Sequence, residues 1–383
     1  MTDDIRPNSF EALPSYRKVL FLFGLLLCTV AILFLIAEIF VRARLYFKYG
    51  TFTGFQAITE YNKDIGLQTP KPGLKIAGIE INSHGFRSPE LSNKNPGTLR
   101  LGFLGGSTTF SAEVTANNLT WPAVVTSKLA EMYPDNNFEY INAGVSGYTT
   151  SDSSANLKTR LAIHDNDILF IYHGINDIIF DAYYDGVKQG VIPISYNEKK
   201  IKNNFLLKHS LLAELAYVNA LILLRQNDTD DKTVRIPLNE QLVSDRFRYR
   251  LQTLVDDALN NSKLVVLPTF TNRLRDGLTP DELSDAMLTH NYYVPYYSTE
   301  DLLKALNIYN DVIRDFSEQE GVLVIDSAEA IAGTRANFAD SVHFTNEGSE
   351  LFGKYIAARL IESQQLQNLI SRDYGISLND QEI

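Results

Sequence analysis

Three residue types that can together activate a hydroxyl group occur in two short segments far apart in the chain. Ser107 follows two glycines at the end of an apolar run, and Asp340 precedes His343 by three residues. A serine hydroxyl becomes nucleophilic when an imidazole accepts its proton and a carboxylate orients that imidazole. The pattern therefore predicts a nucleophilic site formed by Ser107, His343 and Asp340.

Each segment also has a purely structural interpretation. A serine after two glycines is a common helix N-cap, whereas a phosphate loop is disfavoured because its lysine is absent. Residues three apart in a turn lie on the same side, so Asp340 can hold the imidazole of His343 and set its tautomer. The same pair is also typical of a capping carboxylate beside a surface histidine. Taken alone, the two segments leave these interpretations open.

The composition and net charge argue against several classes of partner and site. The net charge is −11 and there is no long basic run, which argues against a nucleic-acid partner. The one cysteine, Cys28, excludes an intrachain disulfide and a cysteine metal cluster. The six histidines include no pair at the i, i+4 spacing of a helical zinc site. We therefore expect neither a metal nor a cofactor.

Residues 19–41 are almost wholly apolar and predict a transmembrane anchor. At about 1.5 Å per residue, this run covers the hydrocarbon core of a bilayer, which is about 30 Å thick. Its one charge, Glu38, lies near the end, where a side chain can reach the membrane surface. A cleaved signal peptide is the alternative, but it has a shorter apolar core followed by small residues at a cleavage site.

Beyond the anchor, short apolar runs alternate with helical patterns. Such runs are typical of strands buried on both faces, and the alternation predicts a parallel sheet covered by helices on both sides. The predicted strands are 99–104, 138–142, 168–172, 264–268 and 322–326. The predicted helices are roughly 120–132, 151–162, 244–261 and 299–320. Ligands bind at the carboxyl ends of such strands, where Ser107, residues 142–147 and 174–177, and Asp326 all fall.

The remaining segments predict the domain organisation. Residues 1–18 are a polar tail, and 42–98 a lead-in with a short hairpin. Residues 99–362 form the main domain, and 363–383 a tail or frayed helix. Within the main domain, residues 178–243 break the alternation and are interpreted as an insertion that could form a lid. It contains an apolar helix at 205–224, which either packs on the domain or faces a membrane.

Two further loops offer donors for a developing negative charge. Residues 142–147 contain two glycines after a strand, and residues 174–177 place a glycine and an asparagine after the next. A backbone N–H at Gly147 and the side-chain amide of Asn176 suit an oxyanion hole, because neither carries a competing charge. Turn glycines and an Asx turn are the structural alternatives.

Together, these four segments resemble the motif blocks of the SGNH, or GDSL-like, hydrolase superfamily. They occur in the family's order, as a nucleophile block at 105–108, a glycine block at 142–147, G-x-N-D at 174–177 and D-x-x-H at 340–343. Gly106 stands where the GDS pattern has aspartate. Residues 81–89 also look like the lead-in of membrane-anchored bacterial members.

The resemblance implies a fold and a set of roles. The fold is a three-layer α/β/α sandwich of the flavodoxin-like SGNH type, with a mainly parallel five-stranded sheet. Ser107 is implied as the nucleophile, His343 as the base and Asp340 as the residue that orients it. The backbone N–H groups of Ser107 and Gly147 and the side chain of Asn176 are implied as the oxyanion hole.

These roles lead us to expect a serine esterase that acts through an acyl-enzyme on a small-molecule, cell-envelope carbohydrate or lipid ester. One alternative is acyl transfer by the same residues to a polysaccharide. Another is a non-catalytic anchored protein that binds polysaccharide through tyrosines, namely Tyr183, Tyr184, Tyr292, Tyr293, Tyr296 and Tyr297. We expect a single-pass membrane protein with a periplasmic or extracellular catalytic domain.

Overall fold

The computed structural model describes residues 14–49, 58–190, 204–226, 235–275, 278–293 and 296–374. The chain divides into two compact units. The first comprises residues 1–54 and 197–218, and the second comprises residues 55–196 and 219–383.

A five-stranded parallel sheet forms the centre of the second unit. Its strands are β5 (Thr98–Gly105), β6 (Asn137–Asn142), β7 (Ile168–Tyr172), β8 (Leu264–Pro268) and β9 (Val322–Ile325), in the order β6-β5-β7-β8-β9. All four neighbouring pairs are parallel. The expected sheet and its five strands are thus confirmed. The strand order reverses direction between β5 and β7, which is where such sheets bind ligands.

Helices cover both faces of the sheet, as expected for a three-layer α/β/α sandwich. The helices Trp121–Met132 and Asn346–Glu362 pack together, while Thr150–Asn156 and Thr299–Arg314 pack on Glu240–Leu259. The helices of this unit are α2 (Ser107–Phe110), α3 (Trp121–Met132), α4 (Thr150–Asn156), α5 (Ile175–Lys188), α8 (Glu240–Leu259), α9 (Pro280–Tyr293), α10 (Thr299–Arg314), α11 (Asn346–Glu362) and α12 (Gln364–Tyr374).

Buried charges hold α5 against α8. Arg250 of α8 binds both carboxylate oxygens of Asp181, at 3.0 and 2.7 Å, and its Nε lies 3.1 Å from Asp177. Asp177 also accepts hydrogen bonds from the backbone and hydroxyl of Thr150, at the start of α4. Removing one partner of such a network leaves an uncompensated buried charge. These contacts therefore determine the position of α5, which carries Asn176.

The lead-in folds onto the main domain as two short hairpins, one more than expected. Strands β1 (Thr59–Asn62) and β2 (Leu67–Pro70) pair antiparallel, as do β3 (Lys75–Ile76) and β4 (Ile79–Glu80). The segment that follows buries Arg87 completely.

The C-terminal segment differs from the expected tail. Residues 364–374 form helix α12, which buries Leu366 and Ile370 in the core. These apolar side chains lie one helical turn apart in an otherwise polar sequence, so the helix is amphipathic and packs its apolar face against the core. Residues 375–383 lie outside the described part of the chain.

The predicted insertion is also arranged differently. Helix α5 extends into the first residues of the predicted insertion and ends at Lys188. The apolar stretch, expected as one helix, forms two helices, α6 (Phe205–His209) and α7 (Leu211–Gln226), which are separated by Ser210. Phe205 is 78% exposed and Leu206 52% exposed, so the packing interpretation is wrong for these side chains. Residues 191–203 and 227–234 lie outside the described residues, so the lid stays a prediction.

Helix α1 (Ser15–Tyr49) belongs to the first unit and contains the predicted span. Among the described residues, it is the one helix long and apolar enough to cross a membrane, and its apolar side chains are exposed. Glu38 pairs with Arg42, one turn further toward the end of the helix, at 2.7 Å. Its carboxylate also accepts a hydrogen bond from the Ser210 hydroxyl at 2.8 Å.

Candidate active site

The turn after β5 presents Ser107 at the start of a short helix. Gly106, and not Ser107, is the N-cap of α2, which makes Ser107 the first helical residue. Its backbone N–H therefore has no acceptor within the helix. A Cβ on Gly105 would lie 2.1 Å from Thr109 Oγ1 and 2.7 Å from the Tyr172 carbonyl oxygen, so only glycine fits this tight turn. The chain thus reverses directly from the buried strand and leaves Ser107 half-buried.

The structure brings Ser107, His343 and Asp340 into one hydrogen-bonded line. His343 Nε2 lies 2.7 Å from Ser107 Oγ, and His343 Nδ1 lies 2.7 Å from Asp340 Oδ2. The second oxygen of Asp340 accepts the backbone N–H groups of Val342 and His343, each at 2.9 Å. The Asp340 carboxylate is therefore held by backbone N–H groups of its own loop, and it orients the imidazole of His343. This geometry matches that of a nucleophile, a base and an orienting carboxylate.

The electrostatics of the pair favour the charged imidazolium. Burial by itself would lower the pKa of His343, but the hydrogen bond to Asp340 and the charges of Glu113 and Asp340 raise that pKa to about 9. Burial opposes the charge on Asp340, yet its hydrogen bonds with His343 and Val342 keep its pKa below the usual value. The site is thus suited to stabilise a proton received by His343.

Asn176 joins two of the predicted loops over the nucleophile turn. Its side-chain nitrogen donates to the carbonyl of Tyr148 at 2.9 Å, which leaves the second N–H of the amide for another acceptor. Gly147, one residue earlier, has a φ of +87°, in the left-handed region that favours glycine. Gly147, Asn176 and Ser107 all line the same cleft. The predicted oxyanion donors are therefore close to the nucleophile.

Gly106 has a steric role where the family pattern has aspartate. A Cβ at this position would lie 2.4 Å from the Asn176 side-chain nitrogen and 3.2 Å from the Tyr148 carbonyl oxygen. The amide of Asn176 thus occupies the space that a side chain at position 106 would need. The departure from the family pattern lets Asn176 sit directly against the nucleophile turn.

The cleft around Ser107 has a volume of about 730 Å³ and a largely apolar lining. The larger apolar residues that line it are Ile58, Phe110, Val145, Ile175, Ile179, Phe180 and Val342. Sequence reasoning did not predict that these side chains line the cleft, because an apolar residue carries no local mark of contact with a ligand. It also missed Glu113, an exposed carboxylate in the cleft lining. No lysine or arginine is among the described residues that line the cleft.

Two residues at strand ends do not line the cleft. Asp326 follows β9 but is paired with Arg314 at 3.0 Å, and it does not line the cleft. Asn142 is buried and donates from its amide to the carbonyl of Thr109 at 2.8 Å, so it braces the nucleophile helix. Among the described residues, no group of His, Cys, Asp and Glu side chains is arranged to hold a metal ion.

The tyrosines considered for sugar stacking do not form one surface. Tyr183 lines the cleft and Tyr184 is exposed, but Tyr297 is buried. Tyr296 is half-buried. The side chains of Tyr292 and Tyr293 lie outside the described part of the structure.

A model of the GDSL-like lipase/acylhydrolase family matches residues 103–351, which is well over half of the chain. The chain belongs to this family. The matched region contains all four motif segments, and it identifies this GDSL-like protein as a hydrolase that acts on ester bonds. No curated protein matches the sequence.

Several solved structures resemble this GDSL-like hydrolase at low identity. An acetylxylan esterase from Geobacillus stearothermophilus is 15% identical with a TM-score of 0.43, covering 72% of this chain and 99% of that one. An alpha/beta hydrolase from the metagenome of Lake Arreo is 14% identical with a TM-score of 0.42, covering 70% and 97%. A putative lipolytic protein of the G-D-S-L family from Desulfitobacterium hafniense is 12% identical with a TM-score of 0.38, covering 68% and 98%. None of these values is high enough to transfer a substrate to this chain.

Proposed function

We propose that the chain is a serine esterase that works through an acyl-enzyme intermediate on Ser107. The observation that carries this proposal is the continuous line from Ser107 Oγ through His343 to Asp340, with 2.7 Å at both contacts. A hydroxyl in such contact with an oriented imidazole is an activated nucleophile. Oxyanion donors beside it stabilise the negative charge that forms when the carbonyl is attacked.

In the proposed reaction, Ser107 Oγ attacks the acyl carbonyl while His343 Nε2 accepts the hydroxyl proton. The oxyanion is bound by the N–H groups of Ser107 and Gly147 and by the amide of Asn176. His343 then gives its proton to the departing alcohol, which leaves the acyl group on Ser107. Water, activated by the same imidazole, releases the acid. Asp340 stabilises the imidazolium in both steps.

The cleft lining supports an apolar acyl group of several carbons. Apolar side chains such as Val145, Ile179 and Phe180 line the space beside Ser107. Burying a methylene group there contributes about 0.8 kcal/mol, so longer acyl chains gain binding energy over acetyl. The carboxylates of Glu113 and Asp152 also line the cleft. We therefore propose esters whose alcohol part is neutral or cationic, since an anionic group would be repelled.

We further propose that α1 anchors the protein in a membrane, with the catalytic domain on the periplasmic or extracellular side. The helix has 35 residues and stays helical to Tyr49, well beyond the apolar core of a signal peptide, which has about 7–15 residues. Large domains cross membranes largely irrespective of nearby charges, which permits this orientation.

The test uses a fluorophosphonate probe and a short p-nitrophenyl ester. We expect the wild type to be labelled on Ser107 and to turn over the ester. Ser107→Ala should lose both, with a fall in turnover of roughly 10⁶-fold. Ser146→Ala, which removes another hydroxyl of the same cleft, is the matched control and should keep both activities. Normal turnover by Ser107→Ala would refute the mechanism. In a parallel reaction with a glycan acceptor, acylated glycan as the main product would show acyl transfer instead of hydrolysis.

A further inference from the structure

The start of helix α7 is bound by a carboxylate of the apolar helix α1. Glu38 Oε1 accepts the backbone N–H of Leu211 at 3.0 Å, and Oε2 accepts that of Leu212 at 2.9 Å and the hydroxyl of Ser210 at 2.8 Å. The side chain of Glu38 is only 12% exposed. Free N–H groups at a helix start attract negative charge, so this contact joins α7 to α1 at a defined point.

Arg42 completes this contact from one turn further along α1. Its guanidinium pairs with Glu38 Oε1 at 2.7 Å and donates to the carbonyl of His209 at 3.1 Å. A charge in an apolar helix is costly unless it is paired and hydrogen-bonded. Here the carboxylate has both a cation and three hydrogen-bond donors. The cluster of Glu38, Arg42 and Ser210 is therefore compatible with the edge of a hydrocarbon layer.

The position of Glu38 in the sequence locates this cluster along α1. The apolar run ends at Val41, one turn after Glu38, which corresponds to about 5 Å along the helix axis. Arg42, Arg44 and Lys48 follow directly. Cations at such a boundary pair with anionic lipid headgroups. If α1 spans the bilayer, the start of α7 lies at the boundary between acyl chains and headgroups.

Helix α6 carries exposed apolar side chains next to that contact, and the sequence of α7 is also apolar. Phe205 and Leu206 of α6 are exposed, and the sequence of α7, LLAELAYVNALILLRQ, is apolar at most positions. Its 16 residues extend about 24 Å, which is too short to span a core of about 30 Å. An apolar stretch too short to cross the bilayer can lie at its interface.

We propose that α6 and the start of α7 form a second membrane contact, which lies in the bilayer interface and is held there by Glu38. The occupant of their apolar surface is the lipid, because Glu38 and Arg42 bind this segment to α1, whose apolar side chains Ile39 and Phe40 are exposed beside those two residues. This inference rests on the proposed anchoring by α1 and is independent of the chemistry at Ser107.

The test places an environment-sensitive fluorophore at single cysteines of the full chain in phosphatidylethanolamine–phosphatidylglycerol vesicles. Leu206→Cys in a Cys28→Ser background reports on α6, and Ile163→Cys, at a site 76% exposed in the second unit, is the matched control. We expect nitroxide groups on the lipid acyl chains to quench the probe at 206, and aqueous iodide to quench the probe at 163. Adding Glu38→Leu should reduce the lipid quenching at 206. Turnover of a short soluble ester should stay unchanged and report correct folding.

Other outcomes would overturn the inference and identify the reason. Iodide quenching at 206 equal to that at 163 would show that α6 is in water. Protection from both quenchers would show a protein partner, and dependence of that protection on protein density would identify a second copy of the chain. A label on the native Cys28 tests the anchor separately. Lipid quenching at Cys28 without lipid quenching at 206 would retain the anchor and reject the second contact.

Discussion

The Ser107 hydroxyl and His343 Nε2 lie 2.7 Å apart although 236 positions separate them in the chain. Their strands are not neighbours, because β7 and β8 lie between β5 and β9. The loop after β9 therefore has to return across the sheet edge to reach the serine. A hydrogen bond from Arg273 N to the carbonyl of Ser341, at 2.8 Å, ties this loop to the one after β8. Val342 and Phe344 are buried on either side of the histidine.

The pH dependence of turnover should reflect the raised pKa of His343. The base must be neutral to accept the serine proton, so kcat/KM of the wild type should rise with pH until about pH 9. Asp340→Asn removes the charge that stabilises the imidazolium. Its rising limb should shift to lower pH, and its kcat should fall roughly 10⁴-fold. A pH-stat assay on a short-chain ester measures both, and an unshifted limb would contradict the role of Asp340.

Glu113 should tune the same titration without taking part in the reaction. Its charge raises the pKa of His343, so Glu113→Gln should move the rising limb to lower pH. The plateau at high pH should stay close to that of the wild type, because the variant keeps Ser107, His343 and Asp340. Glu131→Gln, an exposed position on α3, is the control. Equal midpoints in both variants would exclude this electrostatic effect.

Restoring the aspartate of the family pattern should impair this chain. In Gly106→Asp, the new side chain competes for the space of the Asn176 amide, 2.4 Å from the added Cβ. Displacing an oxyanion donor costs roughly 10²–10³-fold in kcat. Asn176→Ala should cause a similar loss, and the double variant should be little worse than either single one, because both remove the same donor. Kinetics of all three on one ester test this, and additive losses would argue against a shared cause.

Arg87 should contribute mainly to stability. It is fully buried and donates to the carbonyls of Phe110, at the end of the nucleophile helix, and of Ser111 and Val114, in the loop that follows. Arg87→Leu leaves these acceptors unpaired and should cost about 3 kcal/mol or more of the free energy of unfolding. The single buried tryptophan, Trp121, reports urea unfolding.

The control for Arg87 is Arg359→Leu, which removes an exposed ion pair with Glu362 and should change stability by less than about 0.5 kcal/mol. An Arg87→Leu protein as stable as this control would show that the buried hydrogen bonds contribute little.

The acyl preference should follow the apolar lining of the cleft. We expect kcat/KM to increase from acetyl to butyryl to hexanoyl p-nitrophenyl esters. Phe180→Ala should weaken this increase and leave acetyl turnover nearly unchanged, because an acetyl group is too short to reach far along the lining. Tyr249→Ala, an exposed aromatic position that does not line the cleft, is the control. A steady decrease with chain length would favour small acyl groups on carbohydrate.

Local sequence patterns were sufficient for the strands and for the candidate nucleophile segment. The strands read correctly because each is a continuous apolar run buried on both faces, which helices of this length do not show. The packing of α12 into the core, where a tail or a frayed helix was expected, and the break at Ser210 were missed. In α12 the few apolar residues are spaced for a helix but are outnumbered by polar ones. The break depends on the Glu38 carboxylate, which lies far away in the sequence.

The residue types of the site and their order could be predicted from the chain alone, since motif spacing and strand ends are local properties. Which of these residues meet depends on the three-dimensional packing. It joined Ser107 to His343 and placed Asn176 over Gly106, but it paired Asp326 with Arg314 away from the cleft. The tertiary structure also determines which apolar side chains line the cleft around Ser107, and it places Glu113 beside His343. These are matters of distance between separate loops, which depend on the packing of the whole sheet and its helices.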